Sequence, residues 1–128
     1  MNAKKLTEMK IGIVDYGAGN LRSIGNGLRK VGAQIELVSD GRGIENSKAL
    51  VLPGVGNFGD AMGRLSGVSA AIKKKVCEGT PFLGLCLGVQ VLFESSEEAP
   101  DVNGLGIFEG TCKRFPDSVG KIPHMGWS

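Results

Sequence analysis

Pro81-Phe-Leu-Gly-Leu-Cys-Leu-Gly-Val-Gln90 is the stretch on which the fold turns. Residues 81–85 are almost continuously apolar, the composition of a strand covered on both faces of a parallel sheet. Residues 87–93 read as a helix that begins at once. So abrupt a change from strand to helix needs glycine, whose missing side chain permits a sharp turn and close backbone approach, and Gly84-Leu-Cys86-Leu-Gly88 supplies one on each side. The setting is that of a nucleophile elbow with cysteine in place of serine: the first turn of the helix aims free N–H groups at the sulfur. Most cysteines are small buried hydrophobes. Cys86 is set apart by its place at a helix start, the environment that favours a reactive thiolate.

Outward from this element the same alternation recurs. Lys10-Ile-Gly-Ile-Val14 is a β-branched run that ends in a glycine loop, Asp15-Tyr-Gly-Ala-Gly19. Leu21, Ile24, Leu28 and Val31 then recur at helical spacing, with Asn20 as N-cap and Gly32 as stop. Residues 34–38 form a second strand, 39–47 a polar turn region, and 48–52 a third strand halted by Pro53. Between Gly59 and Glu78 the apolar positions Met62, Leu65, Val68, Ile72 and Val76 fit one interrupted helix or two short ones, closed by Gly79. Residues 104–115 suggest a hairpin or a pair of short strands, and 116–128 show no period. Strands alternating with helices imply right-handed βαβ units. The expected fold is α/β, a flavodoxin-like three-layer sandwich with a mostly parallel sheet, incomplete at its C-terminus.

Composition narrows the function. The 128 residues are 41% hydrophobic and 22% charged, as in a globular domain, and 15 basic against 13 acidic residues leave a net charge of only +2. The charges are scattered, so neither nucleic acid nor a membrane surface is an expected partner. No apolar run approaches the roughly 20 residues of a bilayer span. Cys77, Cys86 and Cys112 match no metal-ligand or disulfide spacing, and His124 is the single histidine; no metal and no cofactor is expected, and a reducing, cytoplasmic setting fits best. Residues 1–8 carry Lys4 and Lys5 but no apolar core. They read as an extension or tag ahead of a domain covering 9–128.

Open α/β sheets place their sites at the carboxyl edge of the strands, where three glycine loops follow strands here: 15–20, 53–60 and 84–88. A carbonyl attacked by Cys86 develops an oxyanion, and an elbow offers one donor, the N–H of the next residue, Leu87. Pro53-Gly-Val-Gly56 follows another strand, and its two glycines let a backbone amide turn toward an anion. Elbow and loop together suggest acyl transfer.

Four motifs in one order carry a resemblance that runs from Met9 to the last residue. Pro53-Gly-Val-Gly56 followed by Gly84-Leu-Cys-Leu-Gly-Val-Gln90 is similar to the oxyanion-strand and nucleophile motifs of class I glutamine amidotransferases. Asp15-Tyr-Gly-Ala-Gly-Asn-Leu-Arg-Ser23 and Pro123-His-Met-Gly-Trp127 resemble the glutaminase subunits of imidazole glycerol phosphate synthases. The resemblance implies hydrolysis of glutamine to glutamate and ammonia, and delivery of the ammonia to a (β/α)8-barrel cyclase subunit in histidine biosynthesis. It implies Cys86 as nucleophile, Gly54, Val55 and Leu87 as the oxyanion hole, and Gly56, Gln90 and Glu98 as contacts of the glutamine. Asn20, His124, Met125 and Trp127 would face the barrel partner.

Such families serve the nucleophile with a histidine and a glutamate well beyond the Pro-His-Met-Gly-Trp segment, so this 128-residue stretch is expected to be inactive alone. Two other readings compete. One is a partner-binding module that keeps the fold without the chemistry; the other is the glutaminase domain of a different class I amidotransferase, which the opening motif disfavours.

Overall fold

The computed structural model describes residues 10–17, 19–113 and 115. A four-stranded parallel sheet lies at its centre, in the order β2-β1-β3-β4, built from β1 (Lys10–Val14), β2 (Gln34–Val38), β3 (Ala49–Leu52) and β4 (Phe82–Gly84). β1 pairs with β2 from Lys10↔Gln34 to Val14↔Val38, and with β3 from Ile11↔Ala49 to Ile13↔Val51; β3 pairs with β4 from Leu50↔Phe82 to Leu52↔Gly84. The order reverses direction at β1, which makes the gap between the ends of β1 and β3 the switch point where such sheets bind ligands.

Alternation along the strands sends successive side chains into two cores. Ile11, Ile13, Ala49 and Val51 pack on one face with Leu21, Ile24 and Leu28 of α1 (Leu21–Lys30). Val14, Leu50 and Leu52 pack on the other with Ile44 of α2 (Gly41–Asn46), Phe58 and Leu65 of α3 (Phe58–Leu65), and Ile72 of α4 (Ser69–Cys77). Helices on both faces of a parallel sheet make the expected three-layer α/β architecture.

Three local expectations change. The polar turn region contains α2, because the Asp40 carboxylate accepts the Gly43 N–H at 2.7 Å as an N-cap and Ile44 is fully buried beneath it. The helix after Cys86 is a single turn, α5 (Leu87–Gln90), and the chain goes directly into β5 (Phe93–Ser96). Burial of Val91 and Leu92 against the core, followed by aromatic and serine residues that suit a strand, ends the helix there. Finally, the described part of 104–115 holds one strand, β6 (Phe108–Cys112), in place of a hairpin or a pair of strands, and it runs parallel to β5 in a separate two-stranded sheet. The intervening chain crosses back with Leu105 buried and its N–H on the Val91 carbonyl at 2.7 Å, which lets the second strand enter in the same direction as the first.

Candidate active site

The site is assembled at the carboxyl ends of β1, β3 and β4. Cys86 stands at the N-cap of α5 with φ 56° and ψ −121°, the single non-glycine residue of positive φ among the described residues. Those angles lie outside even the small left-handed helical region open to L-residues, so the elbow holds its cysteine in a strained conformation. The thiol is exposed and no side-chain capping bond engages it.

Packing explains why this strain persists. The Leu85 N–H donates to the Leu52 carbonyl at 3.0 Å, which prolongs the β3–β4 pairing up to the elbow. Gly88 then lies directly on the end of β3: a β-carbon there would collide with the Leu52 carbonyl oxygen and stand 2.9 Å from the Leu52 carbonyl carbon. Backbone against backbone leaves nothing that can swing aside. The glycine after the elbow is therefore a requirement of contact with a neighbouring strand as well as of the turn.

The loop after β3 occupies the middle of the site. Pro53 and Gly54 are buried, Val55 is exposed, and Gly56 has φ 94°. Asn57 then caps α3, accepting the Asp60 N–H at 2.8 Å. The Leu87 N–H, the first expected oxyanion donor, donates to the Gly54 carbonyl at 3.2 Å. Elbow and loop are thus brought together as expected, but the donor is occupied by the loop that was expected to supply the second one. A β-carbon on Gly54 would stand 2.9 Å from the Gly88 nitrogen and 2.9 Å from the Leu87 β-carbon, which shows how tightly the two segments meet.

The first loop closes over the other side. Gly19 packs on the Pro53 ring, and the Tyr16 hydroxyl donates to the Pro53 carbonyl at 2.6 Å. Burial pushes the Tyr16 phenol above its ordinary pKa. Sequence reasoning assigned no role to Tyr16; the available signal was a single aromatic with a polar tip between a buried strand and a glycine loop. Asn20 is exposed and its side chain accepts the Ser23 N–H at 3.2 Å, so it caps α1 as expected.

Gln90 and Glu98 lie apart from the sulfur's immediate surroundings. Both line a cavity of about 1110 Å³ together with Phe93, Ser96, Cys112 and Phe115; among the described residues its wall includes neither Cys86, Gly54 nor Gly56. Gln90 ends α5, and its carbonyl faces the Cys112 sulfur at 3.7 Å. Burial raises the Cys112 thiol pKa. His124, Met125 and Trp127 lie outside the described residues. Among the described residues no group of acidic, histidine or cysteine side chains is arranged to hold a metal, and no helix is long and apolar enough to cross a membrane.

Known proteins are similar to this chain in sequence and in fold. The chain is 50% identical over 118 residues to the imidazole glycerol phosphate synthase subunit HisH of Methanothermobacter thermautotrophicus, covering 92% of this chain and 59% of that one. It is 46% identical over 125 residues to the HisH subunit of Geobacillus kaustophilus, again covering 92% of this chain and 59% of the relative. The imidazole glycerol phosphate synthase hisHF of Emericella nidulans is 41% identical over 118 residues, which are 91% of this chain and 21% of that much longer one. This chain thus spans about three-fifths of the length of the HisH relatives it matches. A crystal structure of a glutamine amidotransferase superposes with a TM-score of 0.68 at 25% identity, covering 88% of this chain and 59% of that structure. The family model for class-I glutamine amidotransferases matches residues 12–128, from inside β1 through the loop after β3 and the turn at Cys86. The strained cysteine between β4 and α5 and the loop after β3 both lie within the matched residues, and the chain belongs to the class I glutamine amidotransferases.

Proposed function

We propose that the protein to which this chain belongs hydrolyses glutamine and passes the ammonia to an imidazole glycerol phosphate synthase partner. The observation that carries the reading is Cys86, exposed and strained on a strand-to-helix turn against the glycine loop after β3. Its thiolate attacks the glutamine carboxamide carbon; the C–N bond breaks, the nitrogen takes a proton and leaves as ammonia, and a thioester remains. Water then cleaves the thioester to glutamate and restores the thiol. The developing oxyanion is suited to the Leu87 N–H and to an amide of the Gly54–Val55 segment. Because the Leu87 N–H is held by the Gly54 carbonyl, the Gly54–Val55 peptide must turn to free it, a rotation that glycine on the pivot makes inexpensive.

Gln90 and Glu98, polar groups on a large cavity one helical turn from the nucleophile, are suited to the α-amino and α-carboxyl ends or the amide of the substrate. The names of the relatives support the partner: HisH is a subunit of imidazole glycerol phosphate synthase, and in hisHF the matching stretch is a fifth of one longer chain. The (β/α)8-barrel form of that partner and a contact surface that includes Asn20, His124, Met125 and Trp127 belong to the same proposal. Three free thiols suit a reducing cytoplasm.

Glutamate release, measured for the protein with its synthase partner, tests the reading. Release that falls by about three powers of ten in Cys86→Ala is expected, since nucleophile and base act as a unit. Undiminished release in that variant would overturn it.

A further inference from the structure

Two carbonyls fix the loop after β3, and one side chain holds the first and stands beside the α-carbon that leads to the second. The Pro53 carbonyl accepts the Tyr16 hydroxyl at 2.6 Å, and the Gly54 carbonyl accepts the Leu87 N–H at 3.2 Å. A single α-carbon separates the two peptide planes. Once the first plane is held, only the two torsions of Gly54 decide whether the second carbonyl reaches Leu87. The Tyr16 oxygen also lies 2.7 Å from the place of a β-carbon on Gly54, so it crowds that pivot as well as anchoring the plane before it.

We propose that Tyr16 is a positioning residue whose hydroxyl, through the Pro53 carbonyl, keeps the Leu87 N–H capped by Gly54 and so sets how often this oxyanion donor is free. The proposal rests on the glutaminase reading above for its meaning but not for its geometry. Gly19 packs on the Pro53 ring independently of the hydroxyl, so removing one oxygen leaves the proline seated and releases only the carbonyl. The bond spans 37 residues and joins the loop after β1 to the elbow's partner loop; no other side-chain hydrogen bond among the described residues links those two loops.

Amide hydrogen exchange of Leu87 in the wild type and in Tyr16→Phe is the test, with the Leu50 amide, bonded to the Pro81 carbonyl at 2.9 Å, as reference. The expected result is exchange at Leu87 about fivefold faster in the variant, the size of one ordinary hydrogen bond, with Leu50 unchanged. An unchanged Leu87 overturns the proposal, and so does equal acceleration at Leu50, which would make Tyr16 a general contributor to stability. Tyr16 is the single tyrosine of the chain. Should the phenylalanine variant not fold, uniform replacement by tetrafluorotyrosine, whose phenol ionises at a lower pH, removes the donor while keeping the ring. Leu87 exchange, corrected for intrinsic rate and referred to Leu50, then rises across that ionisation or the proposal fails. No glutamine enters these measurements, so a failure of Cys86 to react with glutamine mimics would remove the glutaminase reading and leave the exchange result standing.

Discussion

Replacing Cys86 by glycine should make the fold more stable, although the same change at an ordinary loop position does the reverse. At φ 56° and ψ −121° the β-carbon of Cys86 is held against its own backbone, a conformation that costs an L-residue about 1–3 kcal/mol. Glycine removes that cost but gives the unfolded chain more freedom, an opposing effect of about 0.5–1 kcal/mol. The thiol is exposed and no capping bond engages it, so deleting it loses little packing. Alanine keeps the β-carbon and therefore the strain. Cys86→Gly should thus exceed Cys86→Ala in stability by about 1 kcal/mol, a shift of roughly 0.3–1 M in the urea midpoint. Equilibrium unfolding of the two variants beside the wild type reads the difference. If the glycine variant is the weaker by about 0.5–1 kcal/mol, as at an unstrained site, the elbow stores no strain.

Glycines elsewhere separate contact from convenience. Gly88→Ala should destabilise by about 3 kcal/mol or more, because its β-carbon meets the backbone of Leu52, whereas Gly63→Ala, in α3 with open space around it, should stabilise by about 0.5–1 kcal/mol. Thermal or urea unfolding checks both, and similar effects at the two sites would contradict the packing described. Stability should also decline at alkaline pH. Burial raises the pKa of both Tyr16 and Cys112, so the folded chain keeps these protons longer than the unfolded one. Their contribution is complete below the ordinary values and is lost as pH rises through the raised ones, a window that opens at about pH 9 for the thiol and about pH 10 for the phenol. Tyr16→Phe should flatten the upper part of that decline; an identical profile in the variant would contradict the shift.

The four strands of the main sheet were legible because each is a short, largely apolar run, with β-branched residues in β1, β2 and β3, bounded by glycine, proline or polar turns. Helix α2 was not, since six residues with glycines at 41 and 43 show no period, and its Asp40 cap resembles any turn aspartate. The helix after Cys86 is shorter than its sequence suggests because residues 87–93 are mostly apolar, a composition that suits either a buried strand or a helix. The direction of β6 depends on a crossover and could not be seen locally. At the site, the turn holding Cys86 and the glycine loop were legible as local features. The Tyr16–Pro53 bond was not, because its partners are 37 residues apart. Motifs likewise name the donors of an oxyanion hole without showing which acceptor occupies them, and the Gly54 carbonyl on Leu87 is such a case.

The central claim, that Cys86 is the nucleophile of a glutamine-hydrolysing site, is tested most directly by labelling with a glutamine-mimicking electrophile such as its diazoketone analogue. All three cysteines are free, and Cys77 and Cys86 are both exposed, so exposure alone does not mark out Cys86. Peptide mass mapping should find the adduct on Cys86, with Cys77 and Cys112 unmodified, and labelling should slow when glutamine is added in excess. Equal modification of Cys77 and Cys86, untouched by glutamine, would contradict the account.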